Sequence, residues 1–131
     1  MDTIKNQGPI EEVVKILQET LAKFSSLKAE AKLALGAKDV NTSNSKMIER
    51  AQLIVNLPSN LLGKIEHINP EIRDEIKMQT ISWAITAREA IELNLSFALG
   101  VLLTHQGDTI HDKNDLEKLI DFINEEKIKE S

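Results

Sequence analysis

The chain has 131 residues, of which 41% are hydrophobic and 28% charged, and its formal net charge is -5. Such a length and composition are typical of one globular domain, so we expect residues 1–131 to form a single unit, with 1–8 and 125–131 frayed. The chain contains no cysteine, which excludes a disulfide framework, a thiol nucleophile and any cysteine-ligated metal site.

The distribution of charge and aromatic residues bears on the class of partner. Residues 61–131 carry eight basic and fourteen acidic groups, whereas residues 1–60 are close to neutral. An acidic surface repels phosphate, and 3% aromatic residues give little for bases to stack on, so we expect no nucleic-acid partner. No apolar run approaches the ~20 residues of a membrane span, and the first residues lack a secretory core. We therefore expect no membrane contact and a cytoplasmic location.

The first predicted helix runs from Pro9 to Leu35. Pro9 suits a first helical position, and the acids Glu11 and Glu12 suit a first turn. Gly36 is expected to stop the helix. The apolar stripe that predicts it comprises Ile10, Val14, Leu17, Leu21, Phe24, Ala31 and Leu35.

The second predicted helix begins near Asn44 or Ser45 and passes through Pro58. Its apolar positions keep a four-three spacing on both sides of the proline, which predicts a kinked but continuous helix. The alternative is two short helices broken at Leu57. The stripe comprises Met47, Ala51, Ile54, Pro58, Leu61, Ile65 and Ile68.

The third predicted helix starts at the Asn69 cap and Pro70, and no strong breaker follows before Gly100. We therefore predict one rod over residues 70–106. It is apolar on nearly all sides, so we expect it to be the central helix, or to face a partner as well as its own core. One of its stripes comprises Ile81, Ala84, Ile91, Leu95, Ala98 and Leu102; the other comprises Trp83, Ala90, Leu93, Phe97 and Val101.

The fourth predicted helix starts at Asp112 or Asn114, where Asn114 and Glu117 have the spacing of a capping box. No alternating run indicates a strand. The sequence therefore predicts an all-α, antiparallel helical bundle of four main helices, the second kinked at Pro58. The buried face of the last helix comprises Leu116, Leu119, Ile120 and Ile123.

No motif in the sequence indicates catalysis. Neither a Gly-x-Ser-x-Gly elbow nor a glycine-rich phosphate loop occurs, and Arg88 and Glu92 have the spacing of a surface ion pair. We expect no cofactor, no metal and no catalytic residue. One loop gathers possible ligands without the regular spacing of a helical metal site, namely His105, Asp108, His111 and Asp112.

The first half of the chain resembles FliS-type flagellar export chaperones. Residues 8–17 (Gly-Pro-Ile-Glu-Glu-Val-Val-Lys-Ile-Leu) resemble the opening Ser-Pro-x-Glu-Leu helix of that family, and residues 31–40 resemble its first turn. Asn44 and residues 47–55 resemble the entry to its second helix, although the tyrosine of the opening helix is missing. The resemblance implies a chaperone that holds a client helix in hydrophobic grooves.

The second half is similar to HEPN domains, which are helical and associated with toxin–antitoxin systems and RNA. Residues 98–103, followed by Asn114, Asp115 and Leu116, resemble the family's passage from a helix to His-Asp-Leu, with Asn114 in place of histidine. The Arg-x(4–6)-His pair of its ribonucleases is absent. The alternative function is therefore an RNA-acting or toxin–antitoxin-associated helical domain.

These patterns favour a non-enzymatic protein-binding module, of which an export chaperone or adaptor is one form. The partner would be another protein or a second copy of the chain, and the second stripe of the third helix is the predicted contact face. The alternative is that this stripe belongs to the protein's own hydrophobic core and contacts no partner. The predicted partner-binding residues are Trp83, Ala90, Leu93, Phe97 and Val101.

Overall fold

The computed structural model describes residues 2–104 and 112–130, and within these ranges the secondary structure is helical, without a strand. This confirms the all-α prediction. Five helices occur in the described ranges, namely α1 (Asp2–Gly36), α2 (Val40–Leu61), α3 (Pro70–Glu92), α4 (Ser96–Gly100) and α5 (Asp115–Glu130).

Helix α2 is the centre of the bundle. It packs against α1, α3 and α4, while α5 lies across α1 and α3. The inner face of α2 is shielded completely at Ala51, Ile54 and Leu57. The prediction that the third helix is central is therefore wrong, because α3 buries one side only and leaves apolar residues such as Met78 and Ile85 exposed.

Helix α1 begins earlier than predicted, and the residue that terminates it is not the predicted Gly36. It starts at Asp2, so Pro9 lies inside the helix and not at its first position. Gly36 is its last residue, but the left-handed position of the following turn is Lys38, with φ 63°. Asp39 N donates to Ala34 O (2.8 Å) and closes the helix end. Fraying at the chain ends stays a prediction.

Helix α2 starts at Val40, four residues before the predicted Asn44, because the Asp39 side chain accepts a hydrogen bond from Thr42 N (3.1 Å). It continues through Pro58 to Leu61. The alternative of two helices broken at Leu57 is therefore wrong, whereas the kink angle stays a prediction. The predicted continuation of the helix through Ile65 and Ile68 is wrong, because α2 ends at Leu61. The irregular segment 62–69 still buries both residues.

The predicted rod over 70–106 is wrong, because α3 ends at Glu92. Asn94 has a φ of 50°, and two hydrogen bonds close the helix end: Asn94 N to Ile91 O (3.1 Å) and Leu95 N to Ala90 O (3.0 Å). This is a Schellman turn with asparagine at the left-handed position. Asparagine tolerates this conformation better than other residues with a β-carbon, which explains a break without glycine.

The capping box predicted for the last helix is confirmed. Glu117 N donates to Asn114 Oδ1 (2.9 Å), and Asn114 N donates to Glu117 Oε1 (3.0 Å). Helix α5 then buries Leu116, Leu119 and Ile123 completely or almost so against the other helices. The predicted face of this helix is thus the one that packs.

Replacement of Asn94 by alanine tests the turn that separates α3 from α4. Asn94→Ala should lower the free energy of unfolding by about 1 kcal/mol, because alanine is strained at positive φ. The matched control is Asn124→Ala on the exposed side of α5, which should raise stability by about 0.5 kcal/mol through helix propensity. Urea unfolding measures both. Equal effects of the same sign would contradict the assigned turn.

Candidate functional site

The structure divides the predicted contact face into a buried and an exposed part. Trp83 and Ala90 lie in the core, with 9% and 2% of their surface exposed. Leu93, Phe97 and Val101 are exposed, Phe97 by 82%. The stripe is divided because α3 ends at Glu92, and the chain after Asn94 takes a new direction. Whether these residues contact a partner stays a prediction.

Leu95 is exposed as well and lies between these residues in the chain. We call the four apolar side chains the α4 patch: Leu93, Leu95, Phe97 and Val101. All four belong to the turn before α4, to α4 itself or to the residue after it. Four large exposed apolar residues within nine positions are more than scattered surface hydrophobics supply. The patch is therefore a candidate interaction surface.

The α4 patch lies in an acidic stretch of the chain. No lysine or arginine occurs between Arg88 and Lys113, whereas Glu89 and Glu92 directly precede the patch and are exposed. Glu89 lies four residues before Leu93 at the end of α3, on the same side of the helix. A carboxylate close to an apolar surface favours partners with basic flanks, because complementary charges speed encounter and exclude acidic competitors.

The only tryptophan of the chain lies beside the patch. Trp83 lines a cavity of about 370 Å³ together with Ser82 and Thr86 of α3 and Ala98 and Val101 of the α4 region. Val101 thus belongs both to the patch and to the surroundings of the indole. A change at the patch should therefore alter the emission of Trp83.

Arg50 fixes the position of α4 from inside the protein. Its side chain is buried, with 2% exposed, and its Nη1 donates to the carbonyl oxygen of Leu99 (3.0 Å). Its guanidinium carbon lies 3.7 Å from the centre of the Phe24 ring. Because Phe24 belongs to α1, Arg50 to α2 and Leu99 to α4, one side chain connects three helices.

Burial of the Arg50 guanidinium is unfavourable in free energy, because the charge loses its contact with water. Burial lowers the pKa of Arg50 to about 10, so the group still carries its charge at neutral pH. Its Nε has no hydrogen-bond partner, and no carboxylate of the described residues forms an ion pair with it. The Leu99 carbonyl and the Phe24 ring are its contacts in place of an acid.

Sequence reasoning missed Arg50, although a signal exists. Arg50 lies at a core position of α2, since Met47, Arg50, Ile54 and Leu57 also follow each other at spacings of three and four. A charged residue at a core position indicates a buried polar contact, and the structure supplies that contact from the α4 backbone.

Two further surfaces lie outside the patch. The outer side of α3 exposes Met78, Ile81 and Ile85. A groove of about 640 Å³ between α1 and α2 includes Leu27 and Leu53 in its lining, and its rim carries charges of both signs. Mixed charges select no class of partner, so this groove is the weaker candidate for a specific contact. Its charged residues are Lys23, Glu30 and Glu49.

The residues singled out for metal chemistry gain no support in the described ranges. No group of three histidine or acidic residues that could hold a metal occurs among the described residues, and Asp112, the described member of the predicted loop, is exposed. Three members of the predicted loop, His105, Asp108 and His111, lie outside the described residues. Within residues 2–104 and 112–130, no helix is sufficiently long and apolar to cross a bilayer.

Arg88 is exposed, and the expected ion pair with Glu92 is not formed, so that prediction is wrong. The guanidinium has no ion pair with any carboxylate of the described residues. Its side chain is exposed to solvent and does not point into the core.

No family model, no curated protein and no solved structure matches this chain. The resemblances to FliS-type chaperones and to HEPN domains therefore stay predictions.

Replacement of Arg50 by alanine tests its role as the connection between three helices. Arg50→Ala should lower the free energy of unfolding by about 2–4 kcal/mol, because it leaves a cavity and an unpaired Leu99 carbonyl. Lys32→Ala, the surface control on the exposed side of α1, should change stability by less than about 0.5 kcal/mol. Chemical denaturation measures both, and comparable losses in the two variants would contradict the assigned role.

Proposed function

We propose that this chain is a non-enzymatic protein-binding module that docks a basic amphipathic helical segment of a partner protein on the α4 patch. The observation that carries the proposal is the concentration of exposed apolar side chains there, with Phe97 exposed by 82%. A helix-binding surface needs large apolar anchors that the folded protein does not cover itself, and the patch supplies them.

The exposed apolar residues are unevenly distributed along the chain, which supports the proposal. Of the twelve large hydrophobic residues exposed in the described ranges, four belong to the α4 patch and lie within nine positions of the chain. An exposed hydrophobic residue on its own needs no explanation, but such a concentration marks a contact surface.

The acidic character of the chain around the patch supports a basic partner. Glu89 and Glu92 precede the patch, and the nearest basic residues along the chain are Arg88 and Lys113. A helix with leucine-like residues on one face and lysines or arginines beside them would bury the apolar side chains and pair its cations with these carboxylates.

The finer form of the proposal is an export chaperone or adaptor in the cytoplasm. It rests on the resemblance of residues 8–17 and 44–55 to FliS-type chaperones and on the sequence expectations for location. In that role the α4 patch would shield the apolar face of a client helix until the client folds or assembles.

The proposal is tested with an amphipathic peptide of leucine and lysine, which contains no tryptophan, so that only Trp83 reports on binding. The peptide should change Trp83 emission in a saturable manner, and a leucine–glutamate peptide of the same length should not. Phe97→Glu should weaken binding about tenfold or more, because an apolar anchor is lost. The added carboxylate attracts the lysines of the peptide, so the change in charge alone would strengthen binding.

The matched control is Leu33→Glu, since Leu33 is 76% exposed on α1 and lies outside the patch. This variant should bind the peptide as the unmodified protein does, and circular dichroism should show both variants folded. Unchanged binding by Phe97→Glu, or equal losses in the two variants, would overturn the proposal.

A further inference from the structure

The outer side of α3 carries a second unpartnered surface, which we call the outer seam: Asp74, Met78, Ile81, Ile85 and Arg88. The steps between these residues are four, three, four and three, so they share one face of the helix. Met78, Ile81 and Ile85 are 60%, 49% and 52% exposed, and both charged ends of the seam are exposed as well.

The outer seam is distinct from the α4 patch. Trp83, which lies against the α4 region, is two residues from both Ile81 and Ile85. At ~100° per residue, the side of α3 that meets α4 is about 160° away from the seam. The α4 region therefore packs on the side of α3 away from the seam, and the two surfaces share no residue.

We propose that the outer seam binds a second copy of this chain, with the two α3 helices antiparallel and Ile81 at the twofold axis. Asp74 and Arg88 lie the same distance, seven residues, on either side of Ile81. An antiparallel pair centred there places Asp74 of each copy opposite Arg88 of the other. Met78 and Ile85 of both copies then cover the central isoleucines.

The charges select this arrangement over the parallel one. In a parallel pair each aspartate would face an aspartate and each arginine an arginine, which is repulsive at both ends. In the antiparallel pair both ends are attractive, and a twofold interface of this kind is self-complementary.

The two charged groups are available for such pairing. Asp74 is 68% exposed and accepts a hydrogen bond from the neighbouring Arg73 Nε (3.3 Å). A carboxylate has room for a second donor, so this contact persists in the dimer. Arg88 has no ion pair with a described carboxylate, and the second copy supplies one.

The size of the seam determines the strength of association. It spans fourteen residue steps, or about 21 Å, and contributes three apolar side chains per copy. This is small compared with the interface of an obligate dimer. The expected behaviour is therefore a concentration-dependent equilibrium between monomer and dimer.

Charge reversal tests the register of the pair. Asp74→Arg and Arg88→Asp should each raise the dimer dissociation constant about tenfold, because each places like charges at both ends of the interface. The double variant Asp74→Arg/Arg88→Asp should return to within about threefold of the unmodified protein, because the pairs are restored with exchanged signs. Sedimentation equilibrium measures the constants. A monomer at every concentration, or single variants that associate normally, would overturn the proposal.

A cysteine at the twofold axis gives a second, independent measurement. The chain has no cysteine, so Ile81→Cys carries a single thiol, which in the proposed dimer faces its own copy. Mild oxidation should link the subunits covalently, whereas Leu33→Cys, the control on α1, should remain largely monomeric. Equal cross-linking of the two variants would contradict the interface.

One pair of variants distinguishes this inference from the proposed function. Ile81→Glu should abolish the dimer and leave binding of the leucine–lysine peptide intact, and Phe97→Glu should do the reverse. If Phe97→Glu dissolves the dimer and Ile81→Glu does not, the outer seam is not the interface. If Ile81→Glu dissolves the dimer while no variant affects the peptide, the seam stands and the proposed function fails.

Discussion

The contact of Arg50 with α4 is the constraint on which the rest of the structure depends. Helix α4 has only five residues, which is too short to be stable on its own propensity. Leu99 is buried beneath it, and the Leu99 carbonyl accepts a hydrogen bond from a guanidinium that is stacked on Phe24. Together these contacts hold α4 on the bundle, and the side chains of Ser96 and Phe97 are left exposed to solvent.

A buried charge without an acid partner is an unusual way to hold a helix. Its burial is unfavourable, as the lowered pKa of Arg50 shows, and an apolar residue at position 50 would avoid that cost. An apolar residue would, however, leave the Leu99 carbonyl without a donor. The arginine thus contributes more to the placement of α4 than to overall stability, and placement is what an interaction surface requires.

The sequence predicted the helical content well, because hydrophobic periodicity and capping act locally. The α5 capping box at Asn114 and the continuation of α2 through Pro58 were both readable from neighbouring residues. The end of α3 at Glu92 was not, since Asn94 becomes a left-handed turn residue only when the whole turn closes around it. Without this break, residues 70–106 form one helix with apolar stripes on two sides, and such a helix is expected at the centre of a bundle.

The candidate site was predictable only in part. Phe97, Leu93 and Val101 were selected as contact residues from a helical wheel, and all three are exposed, but Trp83 and Ala90 on the same wheel are core. The small residues Ala87 and Ala90, which suit close packing of helices, are used within the chain. Arg50 and the outer seam were missed, because both depend on which side of a helix the other helices cover.

In the proposed arrangement, the α4 patch and the outer seam would have separate roles in binding a client and in joining two copies. If the outer seam joins two copies, each dimer presents two α4 patches, and a client with two helical segments would bind more tightly than either patch alone allows. A client held in this way needs no catalytic group.

Amide hydrogen exchange of the variant Arg50→Lys tests the central claim most directly. Lysine keeps the charge but lacks the planar fork that reaches Leu99 and stacks on Phe24. The account predicts faster exchange at residues 96–103, with α1 and the first part of α3 unchanged, and weaker binding of the leucine–lysine peptide. Exchange in α4 that is as slow as in the unmodified protein would show that Arg50 does not hold this helix, and it would contradict the account.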